Sequence, residues 1–316
     1  MRIFIAGSSG VIGRHLIPKL IQDGHHVIAM TRSHEKAAFL QDAGAETVIA
    51  DGLDREAVFE ALKRTKPDAV MHQMTSLTGI RNLKNFDREF AVTNRLRTEG
   101  TDHLLEASKA AGVQLLIGQS FGGWTYGHTG SGLKNEDDPF DAAPLANQKE
   151  SLEAIQHLES VILNAKEIRG IVLRYANFYG PGTALGLNGE IVRQVLKRKL
   201  PVIGNGAGVW SFIHVDDAAD ATIAAVKSGA AGVFNIADDD PAPVAVWLPE
   251  LARALNAKPP RKIPAWIGRI AAGEVGVSMM TQIRGISNEK AKRELNWEPR
   301  YKSWREGFRT GLGSAA

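Results

Sequence analysis

Short apolar runs alternate with amphipathic stretches through the first two thirds of the chain. The run RIFIAG gives way to a helical pattern reaching Asp23, then HHVIAMTR, a helical segment to Gly44, and ETVIAD. A helix around Ala57–Arg64, the strand DAVMH, a long helix to Gly112 and the strand VQLLIGQS follow. Residues 148–166 carry Leu152, Ile155, Leu158 and Ile162 on one helical stripe and precede the strand GIVLRY. Strand and helix periods alternating in this way predict a parallel sheet with helices on both faces. Pro18 falls inside the first helical pattern, where it removes one backbone hydrogen bond, so a kink rather than an end is expected. Beyond Gly180 the pattern loosens into FYGPGTALGLNGE, IGNGAG and DDDPAPV, which predict a smaller second lobe assembled from late segments. The expected division is a dinucleotide-binding domain over 1–179, joined by 210–238, and a substrate lobe from 180–209 and 239–316. No internal repeat is visible.

Composition narrows the function classes. A chain of 316 residues buries about three quarters of its unfolded surface, enough for one large domain or two lobes. Hydrophobic residues make up 44% and charged residues 23%, which reads as a soluble, globular chain. The formal charge of +3 is spread among interspersed acids, so nucleic acid is not an expected partner. No cysteine occurs, which removes disulfides, thiolate zinc sites and a cysteine nucleophile. The first residues enter a strand directly, without a signal-peptide pattern, and no apolar stretch approaches bilayer length. A cytoplasmic protein without membrane contact is expected. The nine histidines show no metal-ligand spacing, so no metal site is expected.

The first strand runs into IFIAGSSGVIGRHLI, where three glycines separate strand from helix. Gly7 suits the tight turn, Gly10 lets backbone approach a pyrophosphate, and Gly13 lets helix pack on strand. With Ser9, Val11 and Ile12 they form a candidate phosphate cradle at the positive end of a helix. The second strand ends in AMTRSHEK. An acid there would hold ribose hydroxyls, but the position is near Arg32, whose fork suits a 2′-phosphate. NADP(H) is therefore the expected cofactor, with NAD(H) as the alternative.

The spacing GSSGVIG, together with DGLD, EGTDHLLEAS, LRYANFYGPG, WSFIHVDDAADA and AKRELNWEPRY, resembles the extended short-chain dehydrogenase/reductases of the NAD-dependent epimerase/dehydratase family. The motifs run in family order over nearly the whole chain. The resemblance implies a Rossmann-type, doubly wound parallel sheet of about seven strands with a small C-terminal substrate lobe. It also implies that Asp51 and Gly52 contact adenine and that Met74 and Thr75 pass under the cofactor ribose. Asn177 and Tyr179 would line the substrate pocket, while Asp216 and Asp217 are expected to cap a helix.

Two departures from the family carry chemical weight. Its proton relay pairs a tyrosine with a lysine one helical turn on, and the ammonium lowers the phenol pKa. The helix at 146–167 has no such pair: one register places Ser151 and Ile155 there, another Leu145 and Lys149. Where nucleotide-sugar members carry an arginine before FIHVDD, this chain has Trp210, an apolar, stackable face. Arg284 resembles the family's second phosphate-side arginine. Trp266, Met279 and Met280 suit the core of the second lobe. Tyr126, assisted by Ser120, is the candidate proton donor, because both follow the strand at 113–118. The function expected is nicotinamide-dependent reduction of a carbonyl on a small organic substrate, by a homodimer. Alternatives are an NADP(H)-binding regulator without catalysis and an epimerase or dehydratase using the cofactor transiently.

Overall fold

A computed structural model describes residues 1–77, 82–130 and 132–313. The chain opens with β1 (Arg2–Ala6), α1 (Val11–Gln22), β2 (His26–Thr31), α2 (His34–Asp42), β3 (Glu46–Ile49) and α3 (Arg55–Thr65). It continues through β4 (Ala69–His72), α4 (Phe86–Arg97), α5 (Glu99–Ala111), β5 (Leu115–Phe121), α6 (Lys149–Leu163) and β6 (Arg169–Tyr175). The later part holds β7 (Asn177–Tyr179), α7 (Glu190–Leu196), β8 (Val202–Ile203), β9 (Val209–Trp210) and β10 (Phe212–His214). Next come α8 (Val215–Lys227), β11 (Gly232–Ile236), β12 (Ala242–Pro243) and α9 (Val244–Ala254). The last elements are β13 (Lys262–Ile263), α10 (Ala265–Thr281), α11 (Glu289–Leu295) and α12 (Trp304–Thr310).

Seven strands form one parallel sheet in the order β11-β6-β5-β4-β1-β2-β3. Period-2 alternation sorts its side chains onto two cores. Ile3 and Ile5 join Leu16, Leu20 and Ala218 under α1 and α8. Phe4 and Ala6 face Leu62, Leu104 and Leu158 under α3, α5 and α6. Because the strand order reverses between β1 and β4, the crevice beyond their carboxyl ends is the switch point where open α/β sheets take ligands.

Pro18 does not end α1, which continues to Gln22 as expected. One local expectation resolves differently. The long helix expected to reach Gly112 is two helices, broken at Thr98, where ψ of −86° departs from helical geometry and the hydroxyl bonds the Asn94 carbonyl. The late segments build a third core around Trp247, Trp304 and Phe308. A fourth cluster of Phe86, Trp124, Leu152, Ile155, Val275 and Ile283 ties α6 to α10. Among the described residues no helix is long and apolar enough to cross a membrane.

Candidate functional site

The glycine loop between β1 and α1 sits at the switch point, and its three glycines have different reasons to be there. Gly7 has φ of +90°, and a Cβ on it would lie 2.6 Å from the Gln73 carbonyl at the end of β4. A Cβ on Gly13 would run into the Ser8 backbone, so helix and loop pack only because none exists. Gly10 differs: it is exposed, and its nearest protein neighbour, the Gly7 carbonyl, would be 3.2 Å away. The contact at 10 is milder than those at 7 and 13, and Gly10 is the one of the three that is exposed. Gly10 is also the N-cap of α1, with no side-chain cap and no acid in the first turn, so the amides of Val11, Ile12 and Gly13 keep their positive end undiluted. Ser9 lies beside them, its Oγ 3.5 Å from the Thr31 hydroxyl that ends β2.

Arg32 and Asp51 follow the adjacent strands β2 and β3, and the structure brings them together with Nη1 3.6 Å from Oδ2. The guanidinium is 60% exposed, so the pair holds neither group strongly and both remain open to a ligand. Asp51 also accepts the Leu53 amide at 3.0 Å, while Asp54 caps α3. A Cβ on Gly52 would strike the Met74 thioether, so these two expected cofactor residues touch.

His72 escaped sequence reasoning, because a lone histidine ending an apolar strand reads as core. It is fully buried, and burial pulls its pKa down to about 4. Its Nε2 faces the Leu96 carbonyl at 3.0 Å, and its Nδ1 accepts the Met74 amide at 3.2 Å. A carbonyl only accepts, so Nε2 carries the proton and the neutral ring holds the Met74 backbone in place. Partly buried Thr75 follows directly, and the next amide, of Ser76, bonds the Thr93 hydroxyl at 3.0 Å.

The structure unites the two candidate proton donors in one buried chain of hydrogen bonds, with Ser120 inside β5 and not after it as expected, because the strand extends to Phe121. The Ser120 hydroxyl donates to Glu159 at 2.6 Å. Arg174 grips that carboxylate at both oxygens, Nη2 to Oε2 at 2.7 Å. Arg174 Nη1 donates to the Tyr126 hydroxyl at 2.7 Å, which donates in turn to Asn235 Oδ1 at 2.8 Å. The Asn235 amide closes the chain on Glu136 at 2.7 Å. Tyr126 is 1% exposed, and burial pushes its phenol up to about 12 against the pull of Arg174. Both hydroxyls are enclosed and committed, which is a framework geometry and not the open donor expected from their position.

On α6 both registers considered are occupied by other chemistry. Ser151 is buried and shares Asp87 and Asn94 of α4, its hydroxyl donating to Asp87 at 2.6 Å. Ile155 packs with Phe86 and Trp124. Leu145 packs on that same cluster, and Lys149 is exposed beside Glu153.

Of the expected pocket residues, three converge. Asn177 bonds the Ser211 carbonyl at 3.0 Å, Trp210 donates to the Met279 carbonyl at 2.8 Å, and Arg284 donates to the His128 carbonyl at 3.1 Å. Their backbones adjoin through Ser211, which bonds Ile286. Tyr179 stands apart: it is fully buried, edge-on to His214 at 5.1 Å and Phe308 at 5.5 Å, with Gly307 against its ring. It is core of the third cluster, because the tight approach of α12 seals it. Met280 is buried, Met279 half-buried, and Trp266 is 60% exposed on α10. Asp217 accepts the Arg300 and Tyr301 amides, and Asp216 pairs with His15 at 2.7 Å, so both acids order α8 and its neighbours.

Comparison with known proteins follows the same lines. The model of the NAD dependent epimerase/dehydratase family matches residues 3–237. A 3-diazoavenalumate denitrifying reductase from a Streptomyces species is 41% identical over 98% of this chain and 99% of its own length. The structure of a Thermotoga maritima UDP-glucose 4-epimerase with UDP-glucose superposes with a TM-score of 0.77 at 25% identity, covering 99% of this chain and 97% of that one. A Thermus thermophilus UDP-glucose 4-epimerase in complex with NAD gives 0.75 at 24% identity, over 99% of this chain and 98% of the other.

Proposed function

The chain belongs to the NAD-dependent epimerase/dehydratase family and is a nicotinamide-dependent enzyme of oxidoreductase type; from that premise we propose that it is a reductase using NADP(H) on a small organic substrate. The observation that carries this is similarity at 41% identity, end to end, to a protein named as a reductase. The residues present fit a dinucleotide: Gly10 and the open first turn of α1 would take the pyrophosphate, Asp51 the adenine, and Arg32 a 2′-phosphate. Bound there, the reduced cofactor supplies a hydride. The chain's own part is to hold Met74 and Thr75 beside the ribose through His72, and to keep the floor of β5 and β6 rigid through the Ser120–Glu159–Arg174–Tyr126 chain.

The hydride acceptor that agrees best with this site is a diazo group. Reducing a carbonyl consumes a hydride and a proton, and so calls for a positioned acid. Converting an aryl diazonium to the arene and dinitrogen consumes one hydride and no net proton, because the acceptor is already cationic. A site whose phenol is sealed in a buried network suits the second stoichiometry. Carbonyl reduction is the second reading, favoured by the proximity of Tyr126 and Ser120 to the end of β5. Assembly as a homodimer through α5 and α6 is the expected form, testable by sedimentation.

The test is NADPH oxidation with diazotised 4-aminobenzoate, followed with dinitrogen release and compared with the enzyme-free rate. One dinitrogen per NADPH, accelerated by the enzyme, supports the diazo reading. Acceleration only with ketones or aldehydes supports carbonyl reduction. Bound NADPH that no acceptor oxidises would move the protein to the regulator reading.

A further inference from the structure

Two arginines are buried between the sheet and its α4–α6 cover, and they are treated oppositely. Arg174 is 5% exposed and spends its guanidinium on Glu159 and Tyr126. Arg97, at the end of α4, is 7% exposed, yet its Nε and Nη1 are buried without any hydrogen-bond partner. Leaving such donors unpaired is expensive, more so on a cation, and α4 offers many positions where an arginine would reach water at no cost. Burial brings the Arg97 pKa down to about 10, opposed by the charge of Glu159, so it stays cationic at neutral pH.

Its place in the fold gives the cation a use. The Leu96 carbonyl just before it accepts from His72, the last residue of β4. Thr93, one helical turn earlier on α4, accepts the Ser76 amide at 3.0 Å just past β4. Arg97 thus leaves α4 beside the carboxyl end of β4, next to the switch point. The neighbouring groups cannot absorb it: His72 is neutral and its ring is fully engaged, and Glu159 already holds Arg174 and Ser120.

We infer that Arg97 is the anion subsite of the reductase cleft and binds a carboxylate of the substrate. This rests on the reductase reading and adds the substrate's class to it: an organic acid whose reducible group lies beside the cofactor. One planar fork matches a monoanionic carboxylate. A phosphate dianion would ask for a second cation, and Arg174 is already neutralised. The subsite also tolerates a diazonium, since a carboxylate on the same molecule brings the substrate to zero net charge.

Calorimetric titration with benzoate, and with benzamide as its uncharged counterpart, tests this with and without NADP⁺. The intact protein is expected to bind benzoate about tenfold or more tightly than benzamide. Arg97→Gln should bind the two alike, and Arg97→Lys, which keeps the charge but loses the fork, should fall between. The unliganded Arg97→Gln protein should melt no lower than the unsubstituted one, because it loses no hydrogen bond and sheds a buried charge. Equal binding of benzoate and benzamide by the intact protein, including no binding of either, overturns the assignment. So does discrimination that survives in Arg97→Gln, or a clear drop in its melting temperature, which would make Arg97 a structural partner of Glu159. Absence of NADP⁺ binding counts against the reductase reading alone, since the benzoate titrations without NADP⁺ still decide Arg97.

Discussion

The two halves of the crevice are built on opposite terms. On the β1–β2–β3 side the polar groups are exposed and lightly paired: Gly10 has no side chain, and Arg32 and Asp51 share one contact at 3.6 Å while 60% and 41% exposed. On the β4–β5–β6 side they are buried and, apart from groups such as Arg97 and Gln73, closely paired: Ser120, Glu159, Arg174, Tyr126 and Asn235 satisfy one another in sequence. The first half presents its polar groups to solvent. The second is completed by the protein, and its rigidity is what a hydride-transfer geometry needs. Substitutions should therefore cost binding on one side and stability on the other.

The largest effect expected is on the first side. Gly10→Val should abolish dinucleotide binding, because its side chain occupies the approach to the pyrophosphate, while circular dichroism shows a folded protein. Retained affinity would mean that Gly10 has no ligand to admit. On the other side, Glu159→Ala strands Arg174 in the interior and should lower stability by about 3–5 kcal/mol in urea denaturation. A loss below about 1 kcal/mol would show that water replaces the carboxylate.

The pH dependence belongs to the second side as well. His72 is neutral when folded, with a pKa near 4, against 6.5 for the ordinary side chain. The unfolded chain thus binds more protons between these values, and stability falls as pH drops from 6.5 toward 4, by about 3 kcal/mol in full. Unfolding at pH 7 and pH 5 should show a larger loss for the intact protein than for His72→Gln. Equal losses would remove His72 from the account. Tyr126→Phe leaves Asn235 Oδ1 and one Arg174 donor unpaired and should cost about 1–3 kcal/mol of stability without slowing hydride transfer. A slower transfer at unchanged stability would return Tyr126 to the role of proton donor.

How far each half could be read from the sequence follows from the same contrast. The glycine loop, Arg32 and Asp51 were legible because their constraints are local: turn, helix start and strand end lie within a few residues of each other. The parallel sheet was legible because apolar runs alternate with amphipathic ones, while its count of about seven strands came from the family resemblance. The break at Thr98 was hidden, since residues 86–111 contain no proline and a lone Gly100 inside a helical pattern is not a stop signal. Tyr126 does follow β5 but Ser120 lies within it, and the groups that enclose them, Glu159, Arg174 and Asn235, lie 39, 48 and 109 residues away. Tyr179 was assigned to a pocket by the family resemblance, and the approach of α12 together with His214 buries it. Arg97 had no signal at all in a helix rich in charge.

The central claim is that the open half of the crevice holds a nicotinamide dinucleotide, with Arg32 choosing among them. Calorimetric titration of the intact protein with NADPH and NADH tests it most directly. The account predicts saturable binding of one dinucleotide per chain. NADPH should be favoured by about one to two decades, as a charge-assisted contact of roughly 1.5–3 kcal/mol gives, and Arg32→Ala should narrow the gap. Equal affinities would reduce Arg32 to a surface charge, and no saturable binding of either dinucleotide would contradict the account as a whole.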